Sequence, residues 1–362
     1  MKKLNPHPFR IETIRLKNLY AFACETSSDQ AFQQVAPISL IRAFAQAKNP
    51  QGDPEDAALM VAYDNRHCVG YHGVLPGFLS HNQTMSKVYW LVTFFLNPQY
   101  RGRGLGKLLV EEIQKTNGDL VTTGITAAAE NVYRSVGFKE LGYLSYFQLR
   151  MDKLIFQTTK RIYYALLLFF LKSAKKEFIS KRVEQLSNEI GESRGRHSKR
   201  PVFLRDIRTI NWMLQHRWVV SQHQAHPDVE NYYFSRLRDR FEFIALEIYT
   251  IDEKSRKGYL VLSVSTKKDK TIIKILDLFF DETKDYHIAA YLGLKYAKAY
   301  LADCIEYPVC LNHFFSDQPF LKRLLKKKKR LYLYYPKGED SPLAMNAPKI
   351  KLDYCDSDTA FT

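Results

Sequence analysis

The chain has little of what would tie it to an oxidising compartment, a metal centre or a membrane span. Its 362 residues include five cysteines, Cys24, Cys68, Cys304, Cys310 and Cys355. No two form a C-x-x-C pair, and none has a histidine at metal-ligand spacing. A disulfide framework and a cysteine-based metal site are therefore excluded, and ordinary thiols in a reducing cytoplasm are expected. No apolar run reaches the roughly 18 residues needed to cross a bilayer. The opening Met1-Lys-Lys-Leu-Asn-Pro-His-Pro8 is basic but lacks the apolar stretch of a secretory signal. Two nucleotide loops are missing as well. Lys107 is followed by Leu108 rather than Ser or Thr, which breaks the Walker pattern, and Gly102, Gly104 and Gly106 alternate instead of spelling G-x-G-x-x-G.

Acidic residues are scarce relative to basic ones: 38 Asp and Glu stand against 54 Lys and Arg, a net charge of +16. The excess is local. Residues 153–200 and the run Lys322-Arg-Leu-Leu-Lys-Lys-Lys-Lys-Arg330 carry nearly all of it. Such blocks are either solvated charge on surface helices or sites for phosphates, anionic lipid or nucleic acid. With 46% hydrophobic and 14% aromatic residues, the chain is globular and long enough for two domains, each with its own core.

Its most informative stretch is Arg101-Gly102-Arg103-Gly104-Leu105-Gly106. It follows the apolar run Val88–Leu96 and opens an amphipathic segment with Leu105, Leu108, Leu109 and Ile113 at helical spacing. A helix start offers unpaired N–H groups and the positive end of its dipole to an anion. Glycines let those groups approach a diphosphate, and Arg101, Arg103 and Lys107 add cationic donors. A second element, Thr126-Ala-Ala-Ala129-Glu-Asn-Val132-Tyr133-Arg-Ser-Val-Gly137-Phe138, lies some twenty residues downstream. Arg101, Gly104 and Gly106 followed by Ala129, Val132, Tyr133, Gly137 and Phe138 resemble the paired motifs of the GNAT N-acetyltransferase superfamily. Thr126 stands where that family usually has Asn. The resemblance covers roughly residues 8 to 150.

The element order supports this reading. An edge strand (Phe9–Arg15), a helix (Ser39–Gln46), a hairpin (Ala58–Tyr63 and Cys68–Leu75) and the strand Val88–Leu96 precede the loop. Helix Leu105–Lys115, strand Leu120–Ile125, helix Ala127–Ser135 and strand Leu141–Leu149 follow it. The order predicts a mixed α/β sheet of the GNAT fold, with a first domain over 1–152. Residues 153–200 read as a basic helical connector. Its apolar centre, Ile162–Leu171, is either buried between domains or set in a membrane interface. Strands Phe241–Thr250, Gly258–Thr266 and Thr271–Phe280, helix His287–Ala302, strand Tyr307–Leu311, helix Gln318–Leu325 and strand Leu331–Tyr335 repeat the first order. Asp281-Glu-Thr-Lys-Asp-Tyr replaces the phosphate loop, so 201–335 is expected to be a degenerate second copy. Residues 336–362 read as a mobile tail.

The resemblance implies an acyl-CoA-dependent N-acyltransferase, with acetyl-CoA as co-substrate and a small-molecule amine as acceptor. Backbone groups of Phe94 and Leu96 would hold the pantetheine arm, and Arg101, Gly102, Arg103, Gly104, Leu105, Gly106 and Lys107 the pyrophosphate. Thr126 would stand beside the arm in place of the customary amide. Tyr133 matches the position of the acid that protonates the leaving thiolate, a role a phenol of pKa about 10 suits. The strand before the loop has no glutamate, so His72, Glu130 or a water relay is left as the base. Aromatic segments Asn211–Trp218 and Asn231–Phe234 are candidates to line an acceptor cleft. A transferase using aminoacyl-tRNA and a silent membrane-associated protein on the same fold are the alternatives. The intact loop argues against a nucleic-acid partner. A cytoplasmic location follows, with residues 153–190 as the candidate contact to the inner face of an anionic membrane.

Overall fold

The structure, a computed structural model, describes residues 9–29, 32, 35–82, 84–151, 156–171, 178–188, 200–221 and 232–358. Fifteen strands organise this part of the chain. The first half holds β1 (Arg10–Arg15), β2 (Ala57–Asp64), β3 (His67–His81), β4 (Thr84–Leu96), β5 (Asp119–Thr123) and β6 (Lys139–Arg150). Helices α1 (Leu19–Ser28), α2 (Leu40–Ala47), α3 (Leu105–Ile113) and α4 (Ala127–Ser135) are interleaved. The middle contributes α5 (Gln157–Phe170), β7 (Ile179–Val183), β8 (Val202–Phe203), α6 (Ile207–Gln215), β9 (Val219–Ser221) and β10 (Arg236–Arg238). The remainder is β11 (Arg240–Tyr249), β12 (Arg256–Lys267), β13 (Lys270–Phe280), α7 (Tyr286–Tyr300), β14 (Cys304–Pro308), α8 (Asn312–Ser316), α9 (Pro319–Leu324), β15 (Leu325–Tyr335) and α10 (Pro342–Asn346).

Thirteen strands form one sheet in the order β1-β2-β3-β4-β5-β15-β6-β14-β13-β12-β11-β7, with β8 against β3. The order runs inward from both ends with the same pairing senses. The β4–β5 and β13–β14 pairs are parallel, and the flanking pairs are antiparallel. The closing strands are exchanged. β15, from the far end of the chain, fills the gap between β5 and β6, while β6 pairs with both β15 and β14. Tyr332 and Leu333 of β15 are consequently buried. Leu333 lies in the core beneath α3 and α4 with Leu109, Ile113 and Tyr133.

Three local expectations are corrected. Part of the connector is a strand: Ile179 and Val183 lie on β7, which extends the sheet edge against β11, while 172–177 and 189–199 lie outside the described residues. Its helix α5 buries Tyr164 and Leu167 but leaves Ile162, Leu166 and Phe169 exposed at i, i+4 and i+7. The basic run is not helical throughout. Lys326–Lys329 lie on β15, pairing with Gln148–Ser145 of β6. The strand expected at Tyr307–Leu311 ends at Pro308 and gives way to a 3-10 turn, because proline offers no N–H to continue a ladder.

The tail is packed over its described part. Asp119 accepts the N–H groups of Lys337 (2.8 Å) and Leu343 (3.3 Å), and Tyr354, Cys355 and Asp356 are buried. The buried guanidinium of Arg205 faces Asp353 (2.8 Å), Asp356 (3.4 Å) and Asp277 of β13 (3.6 Å). Burial among these carboxylates pushes the Asp356 carboxyl up to about 7. Residues 359–362 lie outside the described residues.

Candidate active site

β4 leaves its parallel neighbour halfway along. Val88–Leu91 pair with Asp119–Thr122 of β5, and the pairing stops there although β4 continues to Leu96. A bulge accompanies the departure. Gly73 of β3 stands opposite Val92 and Tyr71 opposite Phe95, so β4 holds one extra residue in that interval. Thr93 takes the strain in the left-handed region at φ 50°. Its hydroxyl fills the space beside Gly73, where a Cβ would come within 2.4 Å of Thr93 Oγ1. Between the parted strands lies a cavity of about 260 Å³. Val92, Thr93 and Phe94 form one wall, Thr122–Thr126 of β5 and its exit another, and Ala129 and Tyr133 of α4 a third.

The glycine loop lies at the end of β4. Gly102 and Gly104 have φ of 78° and 81°, the backbone form that favours glycine, and Gly104 caps α3. Among the described residues, no backbone acceptor takes the N–H of Gly102, Arg103 or Gly104. The first-turn N–H groups of Leu105, Gly106 and Lys107 have no intrahelical partner by geometry. Gly106 packs against β4, where an added Cβ would meet Leu96 Cδ1 and Phe94 Cζ at 3.1 Å. Arg101 donates to the Leu96 carbonyl at 3.3 Å, Arg103 lies over the Tyr100 ring, and Lys107 faces Glu111 at 3.6 Å. These cations are exposed and paired only at the surface, and can swing to a phosphate. Parted strand, unpaired amides and open glycines fit a diphosphate with an extended arm.

His72 and Tyr133 are brought together. His72 Nδ1 lies 3.2 Å from the carbonyls of both Gly73 and Val92, so it carries the proton. Nε2 then accepts from the Tyr133 hydroxyl at 2.7 Å. The imidazole stacks on Phe94, with centroids 4.6 Å apart. Burial brings the His72 pKa down to about 4, despite the two carbonyls. Burial also pushes the Tyr133 phenol up. His72 is fully buried and is not part of the cavity wall, whereas Tyr133 is. Glu130 points elsewhere, to Arg134 at 2.8 Å. Thr126 caps α4 by accepting from Ala129 N–H at 3.3 Å, and it also lines the cavity.

The rest of the cavity lining comes from residues the motifs did not single out. Arg42 of α2, Arg330 of β15 and Asp358 of the tail line it beside Trp218 and Phe234. Arg42 is buried, donates to Asp358 Oδ2 at 2.9 Å and lies over the Trp218 ring. The expected aromatic lining is thus met by Trp218 and Phe234, while Trp212 donates to the Ala45 carbonyl in the core. Arg42 had one signal in the sequence: a lone charge in an otherwise apolar helix face needs a partner.

In the second half, β13 and β14 also pair only at their start, through Ile272–Lys274. Asp285 before α7 is buried and takes Lys257 at 3.0 Å, so a carboxylate and its counter-ion stand where the first half has its glycine loop.

Fold and site together define a GNAT-fold protein. Residues 55–140 match the family model of the acetyltransferase (GNAT) domain, so the chain carries that domain in its first half. Solved structures of similar fold include a GCN5-related N-acetyltransferase from Kribbella flavida, with TM-score 0.54 and 11% identity, over 94% of this chain and 72% of that one. Another, from Anabaena variabilis, gives TM-score 0.52 and 12% identity over 91% and 73%. Saccharomyces cerevisiae N-myristoyltransferase with bound myristoyl-CoA gives TM-score 0.52 and 11% identity over 96% and 85%. At such identities the likeness is one of fold. No curated protein sequence matches the chain.

Proposed function

We propose that the chain is an acyl-CoA-dependent N-acyltransferase, with acetyl-CoA as donor and a small-molecule amine as acceptor. The observation that carries the reading is the parting of β4 from β5 directly before a loop of unpaired amides. Acyl-CoA supplies an activated thioester. The parted strand offers its backbone edge to the pantetheine arm, and Gly102 to Lys107 receive the pyrophosphate. The neutral amine nitrogen bonds to the thioester carbon and gives up one proton, the carbon–sulfur bond breaks, and the leaving sulfur takes up one proton, the amine's proton restoring the group that supplies it. Tyr133 is the hydroxyl on the cavity wall suited to deliver it. His72, buried behind it, positions that hydroxyl and holds it protonated.

Calorimetry with acetyl-CoA tests the donor site. Wild-type protein is expected to bind. Gly106→Val, which drives a side chain into Leu96 and Phe94, is expected to weaken binding at least tenfold; equal affinity in the two proteins would count against the site.

A second feature, compatible with the first, is peripheral contact with an anionic membrane through 153–190. The exposed Ile162, Leu166 and Phe169 beside Arg161 favour it. No helix among the described residues is long and apolar enough to cross a membrane.

A further inference from the structure

The charges lining the cavity do not balance. Two guanidinium groups, Arg42 and Arg330, face it with one carboxylate, Asp358. Arg42 and Asp358 satisfy each other at 2.9 Å. Arg330 is partly buried and weakly hydrogen-bonded: Nη1 donates to the Tyr354 carbonyl at 3.4 Å. Its guanidinium lies against a pair of touching aromatic rings, 5.2 Å from the centroid of Tyr354 and 5.6 Å from that of Tyr146. Among the described residues no carboxylate comes within 4 Å of it. Glu306, the acid whose charge it feels, is held by the Tyr354 hydroxyl and by the Gln148 amide at 2.7 Å. A guanidinium withdrawn from water and left without an anion is costly, and its planar fork matches an oxyanion. The two aromatic rings fix the fork in place, so it is preorganised rather than swinging freely.

We infer that this cavity selects an acceptor amine that also carries an oxyanion, a carboxylate or a phosphate, received by Arg330. The inference rests on the acyltransferase reading, which calls for an acceptor in the cavity that Tyr133 lines. Arg42, Trp218, Phe234 and Asp358 come from α2, the middle segments and the tail, far from the donor loop in the chain. The donor elements Phe94, Thr126 and Tyr133 line the same cavity. An acceptor held by its oxyanion on Arg330 therefore lies in the cavity whose wall carries Tyr133. The reaction is the one written above; the oxyanion takes no part in bond making and acts on binding. A plain amine without the anion would leave Arg330 unmatched on closing the site.

Binding can be read without any acyl donor, so its outcome is separate from the acetyl-CoA test. The probes are the common α-amino acids against their α-carboxamides, and phosphoethanolamine against ethanolamine, by calorimetry. At least one acid is expected to bind about tenfold or more tightly than its neutral partner. The arm that shows it tells a carboxylate acceptor from a phosphate one. Arg330→Gln is expected to erase the difference and Arg330→Lys to reduce it severalfold, since a point charge replaces the fork. Lys329→Gln, an exposed neighbour on the same strand, is expected to keep the preference, with circular dichroism confirming that each variant folds. Equal affinity of acids and neutral partners, no binding of either, or an undiminished preference in Arg330→Lys would each overturn the inference.

Discussion

Tyr133 and His72 share a single proton along a 2.7 Å hydrogen bond, and that bond fixes what each can do. With the phenolic hydrogen turned toward Nε2, the oxygen lone pairs are left for the cavity. On the proposed acyltransferase reading, delivery of the proton to a leaving sulfur would begin by breaking the bond to His72. Tyr133→Phe is expected to lower kcat about a hundredfold or more while acetyl-CoA affinity stays within a few-fold, since acid catalysis is worth that much and the ring remains. An unaltered rate would remove Tyr133 as the acid. His72 makes a thermodynamic prediction. Its pKa is depressed to about 4 in the folded chain from 6.5. The unfolded chain therefore takes up the proton first as pH falls. The stabilisation is full above pH 6.5, is lost progressively between 6.5 and 4, and amounts to about 3 kcal/mol over that window. Urea melts at pH 7 and pH 4.5 are expected to show a steeper loss for wild type than for His72→Gln; parallel losses would exclude the mechanism. The sequence announced Tyr133 through its register with Gly137 and Phe138. It offered His72 as a residue type but not its depth, and depth decides whether an imidazole can meet an amine. Arg330 was hidden inside a run of lysines, because only strand pairing tells which of those cations turns inward.

Strand, turn and helix around the loop were legible because each is written locally. The apolar run, the positive-φ glycines and the 3.6-residue spacing all lie within some thirty residues. Helix α3 begins at Leu105 as the spacing predicts, and the hairpin turns at Asn65, which adopts φ 54°. Helix α1 was not foreseen, since Leu19–Ser28 has weak amphipathic contrast and starts without a side-chain cap. Strand β7 was missed because its neighbour β11 lies some sixty residues away. The apolar centre of the connector was legible as helix, but its two readings divide the molecule differently. In the structure one face is covered and the other bare. If the bare face is a membrane contact, sedimentation with vesicles containing anionic lipid is expected for wild type and lost in a Leu166→Ser, Phe169→Ser double variant. Equal sedimentation of both proteins would dismiss α5 as the contact.

At the scale of the whole molecule the sequence suggested two similar halves in order, and the strands form one continuous sheet whose pairing senses read alike from each end. The exchange of β6 and β15 was not legible. Nothing local in Leu325–Tyr335 says that it will lie between β5 and β6, because pairing partners so distant leave no periodic trace. The consequence for stability is direct. A fragment of residues 1–152 would lack Leu333 and Tyr332 from its core and expose the facing edges of β5 and β6. It is expected to show no cooperative urea transition, whereas the whole chain does; a sharp two-state melt of the fragment would refute the dependence. The tail adds to it, since Asp119 of the first half anchors Lys337 and Leu343.

The exchange also sets a timetable. During synthesis, β5 and β6 leave the ribosome long before the strand that separates them. Until Tyr335 is clear of the exit tunnel, the nascent sheet has an unfilled slot lined by hydrogen-bonding edges, and the loop and helix α3 beside it rest on an incomplete core. On the proposed reading, competence to hold a nucleotide thus waits for β15, and a message truncated before that strand would yield no half-working product.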